Sequence, residues 1–136
     1  MRGDDTDDRN ANAAVVTAYA RAWQDGDVAT VVGLYHDDFV VHYFGFSPLA
    51  GEYVGKAAAL GALAKVQQLT NRKVVKVHDV LAGPGHGAIL VNEHWSKDGR
   101  ELDLRRVIVY HLRDGKLSEC WVYDEDQRAV DEFWSA

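Results

Sequence analysis

Two Asp-Gly pairs, Asp98-Gly99 and Asp114-Gly115, sit between runs of alternating apolar and polar residues, and they leave this chain few folds to choose from. An Asp-Gly step readily takes the left-handed backbone of a tight hairpin turn, and flanking alternation supplies strands with one apolar face. The stretch Asp98 to Asp124 therefore predicts a meander over Gly87–Lys97, Arg100–Leu112 and Lys116–Tyr123. So long an antiparallel sheet needs an apolar cover on its inner face. The rest of the chain must supply it as helices.

Helical spacing of Val15, Val16, Tyr19, Ala20, Ala22 and Trp23 predicts a helix from Ala11 to Gln24, closed by Gly26. Asp27 is placed to cap a second, short helix over Val28–Tyr35. Asp37-Asp38 breaks it, and the β-branched and aromatic run Phe39–Phe44 reads as a strand. Gly45–Gly55 is expected as a loop. A third helix over Lys56–Leu69 carries Leu60, Leu63, Val66 and Leu69 as its stripe. Lys73–Leu81 alternates as a strand, Gly83-Pro84-Gly85 turns, and Glu125–Trp134 forms a short last helix that Asp124 is placed to cap. The expectation is an α+β fold in the order ααβαβββ plus a short C-terminal helix. A curved antiparallel sheet is covered by three N-terminal helices, as a cone whose open end is an apolar pocket.

A formal charge of −6 speaks against nucleic acid or an anionic membrane as partner, and at 47% hydrophobic the 136 residues suffice for one core. Residues 1–9, with Asp4, Asp5, Asp7 and Asp8, are expected as a disordered acidic lead-in, and 10–136 as a single domain. No apolar run approaches the ~18 residues of a membrane span, and the lone Cys120 gives neither a disulfide framework nor a zinc spacing. A cytoplasmic location is expected, with no metal and no cofactor.

The order Tyr19-x-x-x-Trp23-x-x-Gly26-Asp27, Tyr35-His-Asp-Asp38 and Ser47-Pro-Leu-Ala-Gly51-Glu-Tyr-x-Gly55 resembles SnoaL-like proteins of the nuclear transport factor 2-like superfamily. Arg113-Asp-Gly-Lys116, Glu119-x-Trp121 and Tyr123-x-x-Asp126-Gln extend the resemblance over about residues 12 to 134. It implies a cone-shaped α+β fold (a cystatin-like roll), an internal pocket and a homodimer. It does not fix one activity, since the fold hosts isomerases, cyclases, dehydratases, epoxide hydrolases and binders. Tyr19 stands where ketosteroid isomerases keep an oxyanion-donating tyrosine, but their base and second donor fall on Tyr43 and Ile108. The His and Asp of polyketide cyclases fall on Ile108 and Val122. The Arg-Asp-Asp set of limonene epoxide hydrolases falls on Ile89, Val91 and Val122.

Alternation supplies other candidates. If Ile108 faces inward, so do Leu102, Leu104, Arg106 and Tyr110. A two-residue Asp98-Gly99 loop pairs Lys97 with Arg100, which turns Val91, Glu93 and Trp95 inward and sets Glu93 diagonal to Arg106. Glu93 is then a candidate general base and Arg106 its partner or an oxyanion holder; the alternative is a structural ion pair. Tyr19 and His42 complete the catalytic candidates, although alternation with Tyr43 turns His42 toward the outer face. Trp23, Tyr43, Phe44, Tyr53, Trp95, Ile108, Tyr110 and Val122 are the candidate lining for a hydrophobic small molecule, with Tyr53 as a lid over the mouth. The expected function is cofactor-independent acid–base catalysis, of isomerase, cyclase or dehydratase type, on a polyketide- or steroid-like compound. The alternatives are a non-catalytic binding or dimerisation domain, and an epoxide hydrolase-like enzyme.

Overall fold

Both Asp-Gly turns form as expected. Asp98 and Gly99 take φ of 51° and 80°, and Asp114 and Gly115 take 55° and 73°, the paired positive values of a type I′ hairpin. Around them a computed structural model describes residues 2–135. The elements are α1 (Arg2–Asp25), α2 (Val28–Gly33), β1 (Tyr35–Tyr43), β2 (Gly51–Val54), α3 (Lys56–Thr70), β3 (Lys73–Ala82), β4 (His86–Lys97), β5 (Arg100–Arg113), β6 (Lys116–Asp124) and α4 (Gln127–Ser135). The observed order is ααββαββββα. It adds β2 inside the expected Gly45–Gly55 loop and counts β3 with the closing strands. Residues 2–9, expected as a lead-in, lie within α1, exposed from Thr6 to Asn10.

The six strands form one sheet in the order β2-β1-β6-β5-β4-β3. Pairing is antiparallel except between β1 and β6, which run parallel with Val41 opposite Cys120. The expected second helix ends early: Tyr35 begins β1 opposite Leu117, and the Leu117 amide donates to the Leu34 carbonyl at 2.9 Å. Across β4 and β5, Lys97 faces Arg100 and Glu93 faces Leu104, the register counted from the turn.

Helices α1 and α3 cover the inner face. Val16, Tyr19, Tyr35, Phe39, Val41, Ala59, Ile89, Ile108, Tyr110 and Val122 form one buried cluster. A second, of Leu49, Val66, Trp95, Leu104, Val130 and Phe133, lies under α4. Each such large side chain contributes about 1.5–3 kcal/mol when fully buried. Leu104 belongs to one cluster and Ile108 to the other, so the intervening inward residue of β5, Arg106, sits where they meet.

Candidate active site

Arg106 projects inward from the middle of β5 and meets two carboxylates. Its Nη1 donates to Glu93 Oε1 at 3.1 Å, while Nε and Nη2 donate to the two oxygens of Asp124 at 2.7 and 3.1 Å. Side-chain exposure is 3% for Arg106, 0% for Glu93 and 4% for Asp124. Trp95 Nε1 also donates to Glu93 Oε1 at 3.1 Å, and the guanidinium lies 5.0 Å from the Trp95 ring centroid. The second Glu93 oxygen, Oε2, is buried and makes no hydrogen bond among the described residues. The triad thus sets two acids against one base. Burial opposes the charge on Arg106, but Glu93 and Asp124 more than offset this and hold it protonated. Burial likewise raises the pKa of Asp124 above its ordinary value, with the arginine pulling the other way. Three buried charged groups are held here where apolar side chains would pack at lower cost.

Asp124 corrects its expected role as a helix cap. Asp126 caps α4 instead, its Oδ1 accepting from the Ala129 amide at 3.0 Å. Asp124 shares the inward face of Val122, and a β-bulge explains why its pairing with Arg106 was not foreseen. Leu112 pairs with Leu117, but His111 pairs with Glu119, so one extra residue, Ser118, shifts the register. Counting from the turn alone would set Tyr123 opposite Arg106; the bulge sets Asp124 there. The Ser118 hydroxyl fastens it, 2.7 Å from His111 Nδ1 and donating to the His111 carbonyl at 3.1 Å.

The open end of the cone holds a cleft of about 640 Å³ between α1, α2, α3 and the start of β3, bordered by Trp23, Val31, Tyr35, Leu60, Leu63 and Arg72 among others. Beneath it, a void of about 20 Å³ shares Tyr19, Trp23, Tyr35, Leu63 and Arg72 with the cleft and reaches Arg106. A similar void of about 20 Å³ lies on the other side, bordered by Arg106, Asp124, Tyr43 and Trp95. Each has room for about one water. The floor between cleft and triad is aromatic: Tyr19 and Tyr35 share a 2.5 Å hydroxyl contact, and Tyr110 lies edge-on to Tyr19 at 5.3 Å. Burial raises the pKa of all three, so their hydroxyls stay protonated and able to donate.

The other sequence candidates separate by face. Trp23 borders the cleft and stacks on Tyr19 at 6.1 Å; Ile108, Tyr110 and Val122 border the inner void. Tyr43 borders both voids, and burial lifts its pKa to about 12 against the pull of Arg72 and Arg106. Trp95 is buried against Glu93. His42 lies on the opposite face of the sheet, stacked on Trp121 and 2.5 Å from a Glu119 oxygen, out of reach of the triad. Phe44 is 42% exposed and stacks on Tyr123 at the rim of the second void, so it does not line the cleft. Tyr53 belongs to edge strand β2, its hydroxyl donating to the Leu49 carbonyl at 2.9 Å; it packs on Tyr43 and is no lid on the cleft. Arg72 was not foreseen, because nothing in the sequence shows that the α3–β3 junction turns it into the cone.

A sequence model of the SnoaL-like domain family matches residues 16–120. No curated protein sequence matches the chain. Among solved structures, a protein from a soil-derived mobile gene cassette is 25% identical, with a TM-score of 0.85 over 93% of this chain and 98% of its own. A protein of unknown function with a cystatin-like fold from Xanthomonas campestris is 26% identical, TM-score 0.84, over 90% and 97% of the two chains. An M. tuberculosis LEH-like epoxide hydrolase shares the fold at 20% identity, TM-score 0.69, over 92% and 88%.

Proposed function

The chain belongs to the SnoaL-like domain family, and from that membership we propose a cofactor-independent acid–base enzyme, of isomerase, cyclase or dehydratase type, acting on a hydrophobic, ring-bearing, polyketide- or steroid-like molecule. The observation that carries this reading is the Glu93–Arg106–Asp124 triad, buried beneath an apolar cleft with one Glu93 oxygen unbonded among the described residues. Two carboxylates on one guanidinium leave one carboxyl free to take or give a proton, the division of roles that acid–base catalysis needs. Arg106 orients both, and the tyrosine hydroxyls of Tyr19 and Tyr43 supply donors to a developing oxyanion. The inner void between cleft and triad has room for about one water, which in this reading relays the proton between ligand and triad.

Epoxide opening is the second reading. An arginine flanked by two carboxylates suits activation of water by one acid and protonation of the epoxide oxygen by the other. Turnover of polycyclic ketones, lactones and epoxides by wild type, Glu93→Gln and Asp124→Asn tests both. Turnover unchanged in both variants would remove the triad from the mechanism. Thermal stabilisation by a ligand that is never turned over would favour a binding domain.

We also propose a homodimer. The outer sheet face exposes Val75, Val107 and Tyr123 at 62%, 39% and 48%, and such faces pair when contiguous. No helix among the described residues is long and apolar enough to cross a membrane. A cytoplasmic location goes with this reading.

A further inference from the structure

The lining of the large cleft has a charge bias that the chain's composition does not supply. Its bordering residues include two cations, Arg72 and Lys73, and no acid, in a chain with 21 acidic and 15 basic residues. Arg72 is held in place from both sides. Before it, Asn71 ends α3 in the left-handed region at φ 47° and ψ 42°, and its side-chain amide donates to the Ser96 carbonyl at 2.8 Å. Above it, the guanidinium carbon lies 4.9 Å from the Trp23 ring centroid. The half-buried guanidinium makes no hydrogen bond or ion pair among the described residues. Arg72 borders both the cleft and the inner void, so its donors stand at the neck between them. A fork of five N–H donors in an apolar neck, with no protein acceptor, matches a planar carboxylate.

We propose that the cleft is a binding site for amphipathic organic carboxylates. The apolar ring body lies against Trp23, Val31, Leu60 and Leu63, and both carboxylate oxygens accept from Arg72. The Trp23 face shields one side of the guanidinium from water, which strengthens a charge-assisted pair. This site rests on the cleft being the ligand's mouth, as proposed above, but not on chemistry at Glu93.

Isothermal titration with 2-naphthoate and 2-naphthamide separates the charge from the ring. The carboxylate is expected to bind at least about tenfold more tightly than the amide, with the gap narrowing as salt rises. Arg72→Gln is expected to abolish the gap, Lys73→Gln to leave it largely intact, and Glu93→Gln to leave it unchanged. Equal binding of the two compounds, a gap that survives in Arg72→Gln, or no binding of either would overturn the proposal. Carboxylate binding without turnover of any compound would uphold this site and remove the acid–base reading. Turnover with equal acid and amide binding would do the reverse.

Discussion

Arg106 balances the interior, so its removal is expected to be far more damaging than removal of either acid. Arg106→Leu leaves Glu93 and Asp124 buried without a cation, a loss of about 3–5 kcal/mol. Glu93→Gln keeps an oxygen to accept from Trp95 and Arg106 and leaves a neutral Arg106–Asp124 pair. Its loss is expected below about 1.5 kcal/mol. Urea denaturation of the two variants measures the difference; equal losses would mean that Glu93 carries the balance itself. Asp124 adds a pH dependence of known sign. Its folded pKa is raised by burial, so its contribution is fully present below the unfolded value near 3.8 and is lost as pH rises through the folded value. The stability advantage of wild type over Asp124→Asn is therefore expected to shrink from acid pH toward neutrality. A gap that widens with pH would contradict the raised value. At this scale the sequence was legible where alternation alone decides: Glu93, Trp95 and Arg106 follow from one turn and the period of a strand. The pairing of Asp124 with Arg106 was hidden by a single inserted residue, and Arg72 by the direction of a junction.

At Gly87, β4 and α1 approach closely. A Cβ added at Gly87 would lie 2.6 Å from Val16 Cγ2 and 3.2 Å from the Leu81 carbonyl oxygen. Val16 is fully buried and β-branched, with little freedom to move aside. Gly87→Ala is expected to cost about 1–3 kcal/mol by pushing α1 off the sheet, read as a lower urea midpoint. An unchanged midpoint would show that α1 yields without loss. The elements themselves were legible because apolar period and turn chemistry agree along most of the chain. The exceptions have local causes. Strand β2 has four residues, Gly51–Val54, too few to show a period. Tyr35 follows a helical run yet joins the sheet, because Leu117 offers it a partner 82 positions away that no local pattern records.

For the whole molecule, the expected assembly is a dimer across the outer sheet face. Sedimentation equilibrium is expected to give about twice the 15.1 kDa of one chain, and Val107→Lys to reduce it to one. A monomeric wild type would refute the assembly without touching the cleft. In the proposed reading, chemistry and association fall on opposite faces of one sheet: inward residues of β4, β5 and β6 form the triad, and outward residues are left for a partner. The fold was legible because this division follows from alternation. The route from cleft to triad was not, since it depends on how aromatic rings close over a floor.

The parallel contact of β1 with β6 sets an order of events during synthesis. The first strand made can find its central neighbour only after the last one exists, with Val41 waiting for Cys120. Loop closure over that distance comes late and slowly. A growing chain therefore holds Phe39, Val41 and Tyr43 without their β6 neighbours until that strand has left the ribosome, an interval in which unpaired strand edges invite misassembly.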